Sequence, residues 1–435
     1  MKILFSKTCI AAAVALLCAG GPSSATAQTM EEIRAELKLL RDEVAALKKQ
    51  NASMLPPPVL AASKPLSEQP LAARVEALEA KSTQMVFAGE ADGSLILPKS
   101  KTSLRVYGQA EVHAIHDIKQ SGVPDFFTNL TFQPLNRADS QNGHSKITAE
   151  SSRFGIETST PLKVGTLNTK LEADFYAYSA DTRNRLRLRQ AYGEMGNWLI
   201  GKTWSTFMDL DNLPETVDFN GPIGAPFSRR AMIRYSVGDA KTGIKFSFAA
   251  EDPEDQFGGG SANERLPQLV IRMDSKFERV AVNVRALMHE KRSPTQTKHG
   301  YGVGVGANIK LTDNDVLMAQ YTRVDGDIDQ LYGANGYAID ATTGNISFDK
   351  NQGLVMGYAH IFDSQLRGNI AYGYNRGTSP QAADNRTLNQ FFINLIYSPI
   401  KNVDIGGEFI QGKRKTFNGE TGTLSRIDLM GRYSF

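Results

Sequence analysis

Arg426-Ile427-Asp428-Leu429-Met430-Gly431-Arg432-Tyr433-Ser434-Phe435 alternates with a period of two residues. Ile427, Leu429, Gly431, Tyr433 and Phe435 fall on one face, and Arg426, Asp428, Met430, Arg432 and Ser434 on the other. A strand that is apolar or aromatic on one side and charged on the other suits a wall between lipid and water. An aromatic residue in the last position fits the membrane interface, with no soluble tail expected after it. On this pattern the chain's business is transport rather than chemistry.

The other end agrees. Lys2 and Lys7 make a basic start, residues 10–20 are apolar, and Ala25-Thr26-Ala27 places small residues where cleavage before Gln28 is expected. The apolar run is shorter than the ~20 residues a spanning helix needs, so residues 1–27 read as an export signal that is removed. Both cysteines, Cys9 and Cys18, lie inside that segment. The mature chain therefore lacks a disulfide framework, a thiol nucleophile and cysteine-ligated metal. Removing Lys2 and Lys7 lowers the formal charge from +3 to +1, which excludes a broadly basic nucleic-acid binder. No later stretch approaches a helical span, and a closed barrel is the other structure that satisfies its backbone in lipid.

Residues 28–50 carry a heptad stripe, Met30, Ile33, Leu37, Leu40, Val44 and Leu47, with charged residues between. Such a helix cannot bury its stripe alone, so these six positions are expected to pack against helices of other copies in the periplasm. Residues 51–85 form a linker: Pro56-Pro57-Pro58, Pro65 and Pro70 stiffen it, and Leu71, Val75 and Leu78 mark a short helical stripe.

From residue 86 to 435 the period is two. Arg105, Tyr107, Gln109, Glu111 and His113 share a face; Leu171, Ala173 and Phe175 alternate with Lys170, Glu172 and Asp174; Val282 and Val284 alternate with Asn283 and Arg285. Repeated over about 350 residues, the pattern predicts an all-β transmembrane barrel. At ~20 to 23 residues per strand and turn, 14 to 18 antiparallel strands fit, and 16 is the expectation.

The sharpest internal feature is Arg183-Asn184-Arg185-Leu186-Arg187-Leu188-Arg189-Gln190-Ala191-Tyr192. Parity sets Arg183, Arg185, Arg187 and Arg189 against Leu186, Leu188 and Tyr192, and nearby it turns Arg230 and Arg234 inward. Like charges at i and i+2 need water, acidic partners or an anionic solute. Between these strands, residues 201–222 are too irregular for a strand and too apolar for a free surface loop. Folding inward would narrow a channel, with Asp209, Asp211, Glu215 and Asp218 facing arginines across a transverse field. The alternative is an external loop, with the arginines paired to strand carboxylates.

Other motifs carry little. Gly302-Val303-Gly304-Val305-Gly306 lacks dinucleotide-binding spacing and reads as a strand with small residues on one face. Asp325, Asp327 and Asp329 lack the remainder of a calcium loop and read as an acidic turn. His113 and His116 point to opposite faces, and Gly258-Gly259-Gly260-Ser261 lacks the residues of a phosphate loop. No catalytic, cofactor-binding or metal site is expected.

The mature chain resembles the DcaP-like trimeric outer-membrane porins of Gram-negative bacteria. The resemblance rests on the export signal, the heptad helix and the proline linker. Its specific parts are Arg187-Leu188-Arg189-Gln190-Ala191-Tyr192-Gly193-Glu194, Gly201-Lys202-Thr203-Trp204-Ser205-Thr206-Phe207-Met208-Asp209 and the terminal Tyr433-Ser434-Phe435. It implies a homotrimer of 16-stranded outer-membrane barrels with a periplasmic coiled coil, taking up small anions such as dicarboxylates. It carries pore arginines onto Arg187 and Arg189; the other arginines rest on parity. Two other classes are an envelope tether organised by the coiled coil and a barrel-embedded hydrolase. Ion-conducting steps in a planar bilayer separate a porin from both.

Overall fold

The computed structural model describes residues 87–435, apart from 90–91, 99, 120–126, 137–141, 180–181, 240–241, 255–263 and 380. The export signal, the heptad helix with Met30, Ile33, Leu37, Leu40, Val44 and Leu47, the proline linker and the Gly258 segment lie outside the described residues.

Sixteen antiparallel strands close on themselves. In chain order they are β1 (Ser103–Lys119), β2 (His144–Thr148, resumed at Arg153–Leu162), β3 (Gly165–Ser179) and β4 (Thr182–Met195). Next come β5 (Trp198–Trp204), β6 (Arg229–Asp239), β7 (Ile244–Glu251) and β8 (Gln268–Lys276). Then follow β9 (Val280–Arg292), β10 (Thr297–Lys310), β11 (Asp315–Asp325) and β12 (Lys350–Ile361). The circuit ends with β13 (Leu366–Gly377), β14 (Asn385–Ile400), β15 (Val403–Thr416) and β16 (Thr421–Ser434). Each strand pairs with its sequence neighbour, and β16 returns to β1 with Arg432 opposite Glu111 and Met430 opposite His113. Gly108 and Phe435 exchange two backbone hydrogen bonds of 3.0 Å at the seam. A short hairpin, Phe87–Ala88 with Ser94–Ile96, continues the pairing of β1 beyond that point.

The barrel is polar within and apolar without. Leu186, Ile233, Phe248, Val303, Ile393 and Leu429 are exposed on the outer face, whereas Glu111, His113, Asn283, Asn394, Arg426 and Asp428 are buried on the inner one. That inversion suits a wall surrounded by hydrocarbon. No helix among the described residues is long and apolar enough to cross a membrane.

One barrel end carries short turns and the other long loops, the arrangement that places turns in the periplasm and loops outside. Three loops at the long end fill the interior: loop 1 (β1 to β2), loop 3 (β5 to β6, residues 205–228) and loop 6 (β11 to β12, residues 326–349). Apolar contacts hold them there. Leu130 of loop 1 and Ile223 of loop 3 pack with Ala371, Leu388, Phe392, Ile410 and Leu424. Phe207 of loop 3 joins Leu331 and Ala334 of loop 6 against Ala249, Val270, Leu287 and Val324. Val217 packs on Ile396 and Met430.

Inward-facing glycines make room for this filling. An added Cβ at Gly353 would meet the Gly224 carbonyl oxygen at 2.2 Å, and one at Gly357 would meet Pro214 at 2.5 Å. At Gly406 it would meet Val217 at 2.9 Å. On β10, Gly300, Gly302 and Gly304 leave space for His289, Leu287 and Arg285 of β9 to lie across them. The small-residue face expected around Gly302 is thus a bed for side chains and loop backbone.

Candidate functional site

Loop 3 is fixed to the inner wall at several points by carboxylates and arginines. At its start the Glu251 carboxylate accepts from the Ser205 hydroxyl and the Thr206 N–H, both at 2.7 Å. Asp209 is fully buried, accepts from Asn283 at 2.9 Å and lies 3.5 Å from the Arg285 guanidinium. Asp211 is largely exposed and receives Arg272 at 3.2 Å. Glu215 takes a two-pronged contact from Arg367, 2.8 Å on each oxygen. The Glu408 carboxylate accepts from the backbone N–H groups of Val217 and Asp218 at 3.0 and 2.8 Å. Asp218 accepts from the Thr128 N–H of loop 1 at 2.6 Å. Burial pushes the Asp218 carboxyl up to about 6, against the opposing pull of Arg426 and the Thr128 N–H.

Three of the four acidic residues named from sequence, Asp209, Asp211 and Glu215, are therefore brought against arginines, Arg272, Arg285 and Arg367 on β8, β9 and β13, none of which is among the pore arginines expected from parity; Asp218 is held instead by backbone N–H groups. The inward parity of these arginines was readable, but the pairing is not, because the partners lie 61 to 152 residues apart.

The arginines of β4 lie on another part of the wall. Arg187 donates to Asp174 through Nε at 3.0 Å and Nη2 at 2.6 Å. Arg189 donates to Glu172 and Asp174, each at 2.7 Å, and is 4% exposed. Its neighbour Arg187 keeps 30% of its side chain open to water. Phe219 of loop 3 reaches this pair, its ring 5.4 Å from the Arg189 guanidinium carbon and 5.9 Å from that of Arg187. Tyr176 covers Arg187 at 4.8 Å. Arg185 is exposed, and the side chain of Arg183 lies outside the described residues.

Two sequence expectations change here. Simple alternation places Tyr192 on the lipid side with Leu186 and Leu188. The pairing of β3 with β4 slips between Glu172 opposite Gln190 and Ala173 opposite Leu188, so Arg189 is an extra residue. This bulge reverses the parity beyond it. Tyr192 consequently lines an interior cavity with Arg105, Glu157, Lys170 and Glu194.

Arg230 also faces inward, but it is 1% exposed under loop 6, away from open lumen. It donates to the Asp329 carboxylate at 3.1 Å and to the carbonyls of Asp252 and Glu254 at 2.6 and 2.9 Å. The acidic turn thereby receives a cation from the protein itself. Arg234, four residues further along β6 on the same face, is half-buried and lines a cavity beneath loop 3.

A closed 16-strand barrel with an inward-folded third loop is a porin architecture. The model of the DcaP outer membrane protein family matches residues 86–435.

The chain belongs to that family.

It is an outer-membrane porin. The matched region coincides with the barrel and excludes the preceding segments. Among solved structures, this DcaP family member is similar to the outer membrane channel DcaP of Acinetobacter baumannii. The TM-score is 0.71 at 28% identity, covering 80% of this chain and 99% of that one. The anion-selective porin of Comamonas acidovorans shares the fold at TM-score 0.55 and 11% identity, with 77% and 100% coverage. So does the in-vitro folded OmpT of Vibrio cholerae in its trimer form, at TM-score 0.51 and 13% identity, with 77% and 99% coverage. No curated protein matches the chain.

Proposed function

We propose that this porin is a passive diffusion channel for small anionic solutes, with dicarboxylates the preferred class, and that loop 3 and the β4 arginines form its constriction. The observation that carries the reading is an imbalance of access. Asp209 and Asp218 are buried and hydrogen-bonded, and the more exposed Asp211 and Glu215 are held by Arg272 and Arg367, whereas Arg185, Arg187, Arg234 and Lys245 remain open to water to differing degrees. The accessible interior is therefore more positive than the near-neutral chain as a whole. Guanidinium forks suit carboxylates in both geometry and charge. A low-dielectric wall concentrates their field on a passing solute.

Glu172 and Asp174 already share the charge of Arg187 and Arg189, so neutralising the arginines alone exposes a carboxylate pair. R187Q/R189Q should move the reversal potential in a salt gradient toward cations and weaken dicarboxylate block, more strongly at low salt. Adding E172Q and D174N restores the local charge balance and should return most of the ion selectivity, but not the dicarboxylate block. Unchanged selectivity and block in a folded R187Q/R189Q channel would remove β4 from the constriction.

We further propose a homotrimer in the outer membrane, with residues 28–50 as a periplasmic coiled coil. The family match beginning at residue 86 supports a barrel that is complete without them. A chain lacking residues 28–82 should insert and conduct, with weaker association visible as lower native mass in detergent. Failure of this truncation to fold would make the stalk part of the barrel's own stability.

A further inference from the structure

A second group of cations lies beneath loop 3, away from β4. Ser205, Met208, Leu210 and Asp211 of the loop roof a cavity of about 720 Å³ whose walls descend β6 to β10 toward the turn end. Five cations line it: Arg234 on β6, Lys245 on β7, Arg272 and Lys276 on β8, and Lys310 on β10. Asp211 and Asp274 are its two carboxylates, and both are held by Arg272, at 3.2 and 2.7 Å. Among the described residues, Arg234, Lys245, Lys276 and Lys310 have no ion pair and no side-chain hydrogen bond. The strand register explains their meeting. Lys245 stands opposite Asp274 across β7 and β8, and the turns at Gly243 and at Phe277–Arg279 bring the ends of β7, β8 and β10 together.

The contrast with β4 is chemical. There, Arg187 and Arg189 share two carboxylates at hydrogen-bonding distance, and the open groups are arginines. The lower cavity holds four uncommitted cations, three of them lysines. An ammonium is a compact charge with three donors on a flexible stem, without the planar fork that suits a carboxylate. Several such groups approaching from three strands suit a tetrahedral oxyanion better than a flat one.

We propose that this cavity is a second anion station on the turn side of loop 3, binding compact phosphate-type oxyanions of two or more charges. The proposal rests on the channel reading above and adds a site distinct from the constriction. It makes the conducting path asymmetric: an anion leaving loop 3 toward the turns enters a region of higher positive charge before release.

The experiment uses the full chain in a planar bilayer at low salt, with inorganic pyrophosphate titrated on each face in turn. Block should be tighter from one face. K245Q/K276Q/K310Q should raise that blocking concentration on the order of tenfold and leave block from the other face nearly unchanged. K245R/K276R/K310R keeps the charge and should keep the block. If the triple Gln variant does not insert, K276Q and K310Q singly should show the same change in smaller steps. Equal block from both faces, or block untouched by the Gln substitutions, overturns the station while leaving an anion pore intact. A chain that inserts without conducting overturns both readings, and R187Q/R189Q measured in parallel reads the constriction on its own.

Discussion

Valine in place of Gly373 should lower single-channel conductance while leaving the strand content of the barrel unchanged. A Cβ at this position on β13 would stand 2.3 Å from the Ile223 carbonyl oxygen and 2.8 Å from its nitrogen. Both are backbone atoms, so no side-chain rotation relieves the clash. The Ile223 N–H is also held by Gln390 at 3.1 Å, and the next residue, Gly224, has φ +91° with its own close approach to Tyr374. The loop must move as a segment. Overpacking of this kind costs about 1–3 kcal/mol, and the displacement has lumen on its far side. G373A should fall between wild type and G373V. Gly431 supplies the control: a Cβ there meets nothing within 4 Å, so G431V should conduct as wild type. Wild-type conductance in G373V, with the amides of residues 221–225 as protected from hydrogen exchange as before, would show that the wall does not position loop 3.

Removal of the Arg230 side chain should have the largest effect on stability. Its guanidinium is fully buried beside Asp329 and lies 3.8 Å from Asp327, and both carboxylates are themselves buried. It also donates to two carbonyls at the start of the loop between β7 and β8. One cation thus ties two loops to β6. R230A leaves buried charges without that partner, a change that costs about 3–5 kcal/mol. R230K keeps the charge without the fork and should recover part of the loss.

The pH response should change sign. Burial raises the Asp327 carboxyl, but Arg230 chiefly, with His289 and Lys291, outweighs it and holds the group below its ordinary range. A depressed carboxylate contributes stability that is present above its unfolded value and lost as pH falls through the folded one. Without Arg230, burial gains weight, and protonating Asp327 relieves a buried charge. Thermal unfolding of R230A should therefore shift upward between pH 7 and pH 5, where wild type stays level or declines. Parallel pH profiles for the two proteins would count against this account of Arg230.

The wall was legible from the chain because one physical rule acts at every second residue. Lipid on one side and water on the other sort Leu186 from Arg187 and Ile271 from Arg272 without help from distant neighbours. The correct facing of Ile427 to Phe435 follows from that rule. It breaks where the backbone gains a residue, and the bulge at Arg189 carries no composition cue that separates it from regular strand. Simple alternation puts Tyr192 on the wrong side for this reason. Partners across the lumen were also hidden. Asp209 signals a need for a cation or donors, but nothing local to it names Asn283 or Arg285. The glycines at 353, 357, 373 and 406 could have been read as inward positions by parity. Their purpose required the loop that lies on them.

The first strand meets the last, and the supports of loop 3 are spread over much of the chain that follows it. Glu251 and Arg285 are available early, whereas Gly353, Arg367, Gly373, Gln390 and Glu408 belong to the final third. During synthesis and export, loop 3 therefore exists for more than a hundred residues before its seat is complete. Contacts of such long sequence separation form late, because the intervening chain must be gathered first. A barrel that zipped shut before the loop had been drawn inside would trap it at the rim, with Ile223 and Val217 in water. Assembly must bring β12 to β16 around a loop already turned inward, so that closing the seam at Gly108 and Phe435 and seating loop 3 are completed together.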